Sequence, residues 1–132
     1  MSHRTALVTG ASRGIGKATC LALADAGWHV VAGVRDLDAG RESFGHLPHV
    51  RTVALDVTDR KSIDDAVAQT AAAGPLDCLV NNAGYAMFAA IEEADLDEAR
   101  AMFETNLFGA LAATQAAMPL LRESRGVVVN VS

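Results

Sequence analysis

The sequence is short of cysteine, of cations and of long apolar runs. It holds two cysteines, Cys20 and Cys78, in apolar segments without C-x-x-C spacing. We therefore expect reduced core thiols of a cytoplasmic protein rather than a disulfide. Eleven Lys and Arg stand against 16 Asp and Glu, a net charge of −5. Phosphate backbones are bound by clustered cations, so nucleic acid is excluded as the main partner. No apolar run approaches the ~20 residues of a membrane span, so no membrane partner is expected. The apolar stretch after Arg4 runs straight into Gly10-Ala11-Ser12-Arg13-Gly14, which is not a signal peptide. His46 and His49 flank Pro48 without cysteine or acidic partners at ligand spacing, so no metal site is expected. A G-x-S-x-G nucleophile elbow is also missing.

What remains is a chain of 132 residues, 51% hydrophobic and 20% charged. That is one globular domain with enough length to bury a core. Short β-branched runs alternate with longer alanine-rich stretches. The spacing predicts strands over 6–9, 29–34, 50–55, 76–80 and 127–131. Helices are expected over 15–26, closed by Gly27, within 36–49, and from a cap at Thr58 or Asp59 to about Ala73. A last, long helix runs from about Asp97 to Leu121. Leu96, Ala99, Phe103, Leu107, Ala110, Thr114, Met118 and Leu121 share one face of it. Pro119 lacks a backbone donor, so the helix should bend or end there. The acidic run Glu92, Glu93, Asp95, Asp97 and Glu98 reads as favourable charge at its N-terminus. Strand–helix–strand repeated with strands apolar on both faces implies an α/β fold. It is a doubly wound parallel sheet covered by helices on each side.

Thr9-Gly10-Ala11-Ser12-Arg13-Gly14-Ile15-Gly16 follows the first strand and opens the first helix. Gly10 permits a tight turn, Gly14 lets backbone approach a pyrophosphate, and Gly16 brings helix and strand together. The helix N-terminus offers free N–H groups and partial positive charge to phosphates. A Walker A loop does not fit: Ala11 stands where its glycine belongs, and Ala18 where Ser or Thr should hold magnesium.

The spacing T-G-x-x-x-G-x-G resembles that of the short-chain dehydrogenase/reductase family. Asp56-Val57, Asn81-Asn82-Ala83-Gly84, Asn106 and Val129-Asn130-Val131-Ser132 resemble its other motifs, and the likeness covers the whole chain. It implies a Rossmann fold with strand order 3-2-1-4-5. By the resemblance, Gly10, Ser12, Arg13, Gly14, Ile15 and Gly16 cradle the adenosine and pyrophosphate of a dinucleotide. Asp56 and Val57 hold the adenine. Asn82, Ala83 and Gly84, with Asn81, line the ribose on the nicotinamide side and brace the sheet. For Asn81, bracing alone is the open alternative.

Cofactor choice in such folds is made at the end of the second strand. The family's NAD-selecting acid aligns with Val34, and Arg35 follows it. Arg13 occupies the position of a second NADP-selecting cation. Two arginines on one phosphate give charge-assisted hydrogen bonds, so NADP(H) is favoured over NAD(H). A shift of one residue would instead make Asp36 an acceptor for the ribose of NAD.

The family transfers hydride between nicotinamide and a small-molecule carbonyl or alcohol. Its acid/base is a tyrosine beside a lysine, helped by a serine and an asparagine. The asparagine matches Asn106, a poor helix former that with Gly109 predicts a local kink with a water-bonded backbone. Ser132 aligns with the residue just before the catalytic serine. Tyr85 is the only tyrosine, and both lysines, Lys17 and Lys61, precede it, so no Tyr-x-x-x-Lys pair is present. Tyr85 is expected at the mouth of the substrate cleft, with Ala86, Met87, Phe88 and Ile91 as an apolar wall.

Residues 1–132 are thus expected to be an NAD(P)-binding domain cut before the Ser/Tyr/Lys segment, and inactive as it stands. An exposed fifth strand would be the edge left by that cut. The family also implies a homodimer or homotetramer of the full-length form through the long helix. The alternative is a non-catalytic dinucleotide-binding module or redox sensor.

Overall fold

The computed structural model describes residues 3–132. Five strands form one parallel sheet: β1 (Thr5–Val8), β2 (His29–Val34), β3 (Val50–Ala54), β4 (Cys78–Asn81) and β5 (Val127–Asn130). Their spatial order is β3-β2-β1-β4-β5, the doubly wound Rossmann order. The helices are α1 (Gly14–Asp25), α2 (Leu37–Phe44), α3 (Arg60–Ala73), α4 (Leu96–Phe103) and α5 (Ala110–Ser124).

The alternation of side chains along each strand divides the core in two. Ala6, Val8, Val30, Ala32, Val34, Cys78 and Val80 face one side, with Cys20 of α1 and Phe44 of α2. Leu7, Val31, Val53 and Leu79 face the other, with Ile63 of α3 and Ala113, Ala117 and Leu121 of α5. Both faces of the central strands are therefore dry, which is why these strands read as unbroken apolar runs. Both cysteines are buried and free. Burial pushes the Cys20 thiol up to about 12 and raises that of Cys78 as well. The strand β5 differs from the other four, since every residue in it is exposed.

Helix starts follow local chemistry. Asp36, Asp59 and Asp95 each cap a helix by accepting backbone N–H bonds, at α2, α3 and α4 respectively. Asp59, not Thr58, is thus the cap of α3. Asp97 and Glu98 lie in the first turn of α4, where carboxylates are favoured.

The expected long helix is present as one helical run from Leu96 to Ser124, with a local departure where Asn106 and Gly109 stand. Between α4 and α5 the chain makes a π-helical segment, Glu104–Gly109. Tight packing at its end gives a reason: a Cβ on Gly109 would lie 2.6 Å from Val57 Cγ2. Pro119 neither bends the chain out of helix nor ends it, because α5 runs on to Ser124. Burial of Ala117 and Leu121 holds the turns on both sides of the one missing bond. The helix ends instead at Arg125, which adopts φ 55, with Gly126 N–H donating to Leu121 O at 2.8 Å.

Candidate functional site

The strand order reverses between β1 and β4, and ligands of open α/β sheets bind at such a point, beyond the strands' C-terminal ends. An open cleft of about 1880 Å³ lies there, lined by the turns after β1, β2, β3 and β4, by the π segment and by the end of β5. Its walls include Gly10, Ser12, Arg13, Gly14, Ile15, Arg35, Asp56, Val57, Asn82, Ala83, Gly84, Asn106 and Ser132. Of the residues expected to hold the cofactor, Gly16 is not on the wall but sits directly beneath it.

The glycine turn is built for a close approach. Gly10 and Gly14 have φ of 62 and 58, a region that side chains rarely enter. A Cβ on Gly14 would meet nothing within 4 Å, so this backbone borders open space. A Cβ on Gly16 would strike the Gly10 carbonyl and the Asn82 amide, so only glycine lets α1 sit this near the turn. At the start of α1, Arg13 makes no side-chain cap and the first turn carries no acid. The leading N–H groups and their positive end of the helix dipole are thus left for an anion. This cradle fits the pyrophosphate of a dinucleotide.

Thr9, which the sequence presents only as the first letter of the motif, ties the two central turns together. Its buried hydroxyl accepts from Asn82 N at 3.0 Å and from Ala83 N at 2.9 Å. Asn82 Nδ2 returns two bonds, to Thr9 O at 3.1 Å and Gly10 O at 3.0 Å. The bracing expected of the Asn81–Gly84 segment is therefore real, and Asn82 supplies much of it. Asn81 is buried at the end of β4 and bonds to Thr114 and Asn130. Thr114, expected on the apolar face of the long helix, is a hydrogen-bonding residue instead.

Asp56 Oδ1 accepts from both the backbone and the hydroxyl of Thr58, at 2.9 and 2.7 Å. These bonds, the hydroxyl's first, hold its carboxyl below the usual carboxylate range, and the Arg35 charge adds to the effect. Ser62 Oγ accepts from Asp56 N at 2.9 Å and fixes the turn from behind. Neither Thr58 nor Ser62 was legible as a site residue; T-D-x-x-S after the strand looks like ordinary helix entry.

Asp36 lies beyond the end of β2, and its Oδ1 is engaged by Asp38 N and Ala39 N at 3.0 and 3.3 Å. Arg35 and Arg13 are exposed on the cleft, and neither is ion-paired among the described residues.

Asn106 sits in the π segment, so the local departure expected there exists. Its side chain clamps the neighbouring loop: Oδ1 accepts from Tyr85 N at 3.0 Å and Nδ2 donates to Tyr85 O at 2.7 Å. The expected local device is thus a side-chain clamp on protein backbone. Tyr85 and Ala86 line the cleft. The rest of the expected apolar wall does not: Phe88 and Ile91 are 94% and 90% exposed, and neither they nor Met87 border the cleft. None of the described residues packs over the Phe88 and Ile91 side chains, which are left at the surface.

A family model described as short chain dehydrogenase matches residues 4–132. The chain belongs to the short-chain dehydrogenase family. An L-fucose dehydrogenase of Mus musculus is 38% identical, covering 99% of this chain and 49% of the relative. A 3-amino-tetrahydro-pyrrolizinone reductase of Xenorhabdus hominickii is 34% identical, covering 100% and 46%. Among solved structures, a short-chain dehydrogenase of Streptomyces avermitilis superposes with a TM-score of 0.92 at 38% identity, covering 100% of this chain and 50% of that one. An alcohol dehydrogenase of the archaeon Thermococcus sibiricus, complexed with 5-hydroxy-NADP, gives a TM-score of 0.92 at 30% identity, covering 98% and 57%. The chain spans about half the length of these family members. No helix among its described residues is long and apolar enough to cross a membrane.

Proposed function

We propose that residues 1–132 are the cofactor-binding portion of an NADP(H)-dependent oxidoreductase. The bound nicotinamide would exchange hydride with a small-molecule carbonyl or alcohol. The glycine turn and the uncapped start of α1 hold the pyrophosphate. Asp56, kept ionised by Thr58, accepts from the adenine amine through its second oxygen, with Val57 against the ring. Asn82, Ala83 and Gly84 border the ribose of the nicotinamide end.

The observation that carries the NADP(H) reading is the state of the three charges near the end of β2. Arg13 and Arg35 face the cleft with no ion-pair partner among the described residues, while Asp36 lies off the cleft wall with its Oδ1 capping α2. A 2′-phosphate gains two cationic donors there, whereas Asp36 is not on the cleft wall and its Oδ1 is turned to the start of α2. The solved relative with an NADP analogue is consistent with this choice.

Asn106 holds the Tyr85 loop against the π segment and so shapes the substrate side. Ser132 stands next to the position of the family's serine. With no Tyr-x-x-x-Lys pair in it, the 132-residue chain binds cofactor without turnover. Exposed Leu96, Phe103, Leu107, Phe108 and Leu111 on α4, the π segment and α5 suit packing against a second subunit, as a homodimer or homotetramer. Two buried free thiols suit a cytoplasmic setting.

Dissociation constants for NADPH and NADH test this. NADPH should bind more tightly, and Arg35→Ala should weaken NADPH by roughly 10- to 100-fold, the worth of a charge-assisted hydrogen bond, while sparing NADH. Tighter NADH binding that ignores Arg35→Ala would sink the reading. Steady NADPH oxidation with a ketone panel, by a chain of verified mass, would contradict the claim of inactivity.

A further inference from the structure

Asn81 ends β4 at the floor of the cleft and is 5% exposed. Its Nδ2 donates in two directions, to Thr114 Oγ1 on α5 at 2.9 Å and to Asn130 Oδ1 on β5 at 3.0 Å. Thr114 donates onward to Ala110 O at 2.8 Å, the first residue of α5 after the π segment. Val131 N donates to Asn81 O at 3.0 Å, just before Ser132. One amide therefore links three elements. One of them, α5, continues directly from the π segment that carries Asn106, and another, β5, leads to Ser132.

This is a costly way to pack a strand end. Asn81 Oδ1 is buried and accepts no bond from the protein. A leucine of similar volume would leave no orphaned acceptor, and partly satisfied polar networks stabilise less than apolar packing. The cost is incurred at the one place where the cleft, α5 and β5 meet. A geometric role there accounts for it.

We propose that Thr114 and Asn130 are positioning residues. They fix the Asn81 amide, and through it they hold the Asn106 helix and the Ser132 end of β5 at a set spacing across the cleft floor. The functional half of this inference rests on the cofactor reading above; the bridge itself is a property of the chain.

The test uses the ¹⁵N-labelled 132-residue chain. In Thr114→Val the hydroxyl acceptor is lost at nearly constant volume. The Asn81 side-chain amide protons should then exchange about tenfold faster, as for one lost hydrogen bond. Backbone signals should move at Tyr85 and Asn106 and also at Val131 and Ser132. Thr114→Ser should restore both. Shifts confined to α5, with Thr114→Ser no better than Thr114→Val, would mean a packing role only and would overturn the proposal. Should Thr114→Val fail to fold, the exposed partner decides. Asn130→Asp keeps an acceptor and should keep the Asn81 amide protected, Asn130→Leu should not, and equal behaviour of the two refutes the bridge.

A second readout separates function from architecture. Thr114→Val should weaken NADPH by about tenfold, yet leave 2′,5′-ADP, which reaches only the adenine end, within about twofold of wild type. Unchanged NADPH affinity would overturn the positioning role. Failure of the wild type to bind NADPH would contradict the cofactor reading instead, and the amide spectra would still decide the bridge.

Discussion

Replacing Thr9 by valine removes one hydroxyl from the centre of the site at almost no change in shape. Thr9 is 1% exposed, so no bulk water takes over its bonds. Its oxygen accepts from Asn82 N and Ala83 N at 3.0 and 2.9 Å. Valine leaves both N–H groups without that partner. Each buried donor so orphaned costs about 1–3 kcal/mol. Asn82 and Ala83 are only partly buried, so water recovers some of it, and a total of about 2–4 kcal/mol is expected. For a domain of this size each kcal/mol lowers Tm by roughly 3–5 °C, so Thr9→Val should melt about 6–20 °C below wild type. Circular dichroism melts at several protein concentrations measure this, with Thr9→Ser as the control that keeps the hydroxyl. A serine variant that melts close to wild type beside a strongly lowered valine variant supports the bridge. Both variants within about 2 °C of wild type would refute it.

Three other outcomes follow from the same geometry. Asp36→Ala should cost about 0.5–2 kcal/mol in chemical denaturation through loss of the α2 cap, and should leave NADH affinity unchanged. A large loss of NADH binding would show that Asp36 serves the cofactor after all. Thr58→Val removes the first cause of the lowered Asp56 carboxyl. A depressed carboxyl stabilises the fold above its ordinary value of 3.8, and that stability is lost as pH falls through the folded value. The wild-type advantage over Thr58→Val in melting should therefore stand at pH 7 and shrink below about pH 4; an equal gap at both pH values contradicts it. Gly109→Ala should destabilise by about 1–3 kcal/mol in denaturant unfolding, because its Cβ would meet Val57 Cγ2 at 2.6 Å; an unchanged midpoint would show that the π segment yields at no cost.

The strands and the glycine turn could be read from the chain because they rest on local signals, whereas the strand order came with the family resemblance. Alternation in Ala6-Leu7-Val8 and Val30-Val31-Ala32 sets the two core faces, and Gly14 and Gly16 declare a turn by themselves. What stayed hidden depends on partners far along the chain. Thr9 and Asn82 are 73 residues apart, and no window around either shows the bond. Asn106 and Gly109 announced a departure from regular helix, but not that Asn106 would clamp the Tyr85 backbone or that Gly109 would pack on Val57. Pro119 does not end the helix, since α5 runs on to Ser124 with Ala117 and Leu121 buried on either side of it. Phe88 and Ile91 look like a cleft wall by composition, and only the loop's path shows that they point elsewhere.

The central claim is that the cleft at the C-terminal edge of β1 and β4 binds NADP(H), and a ¹⁵N shift map of the chain titrated with NADPH tests it most directly. The account predicts saturable shifts at Gly10, Gly14 and Gly16, at Arg35, at Asp56 and Val57, and at Asn82 and Gly84, with α3 and the Leu47–His49 side of the sheet unmoved. No saturable shifts, or shifts confined to that opposite side, would contradict it.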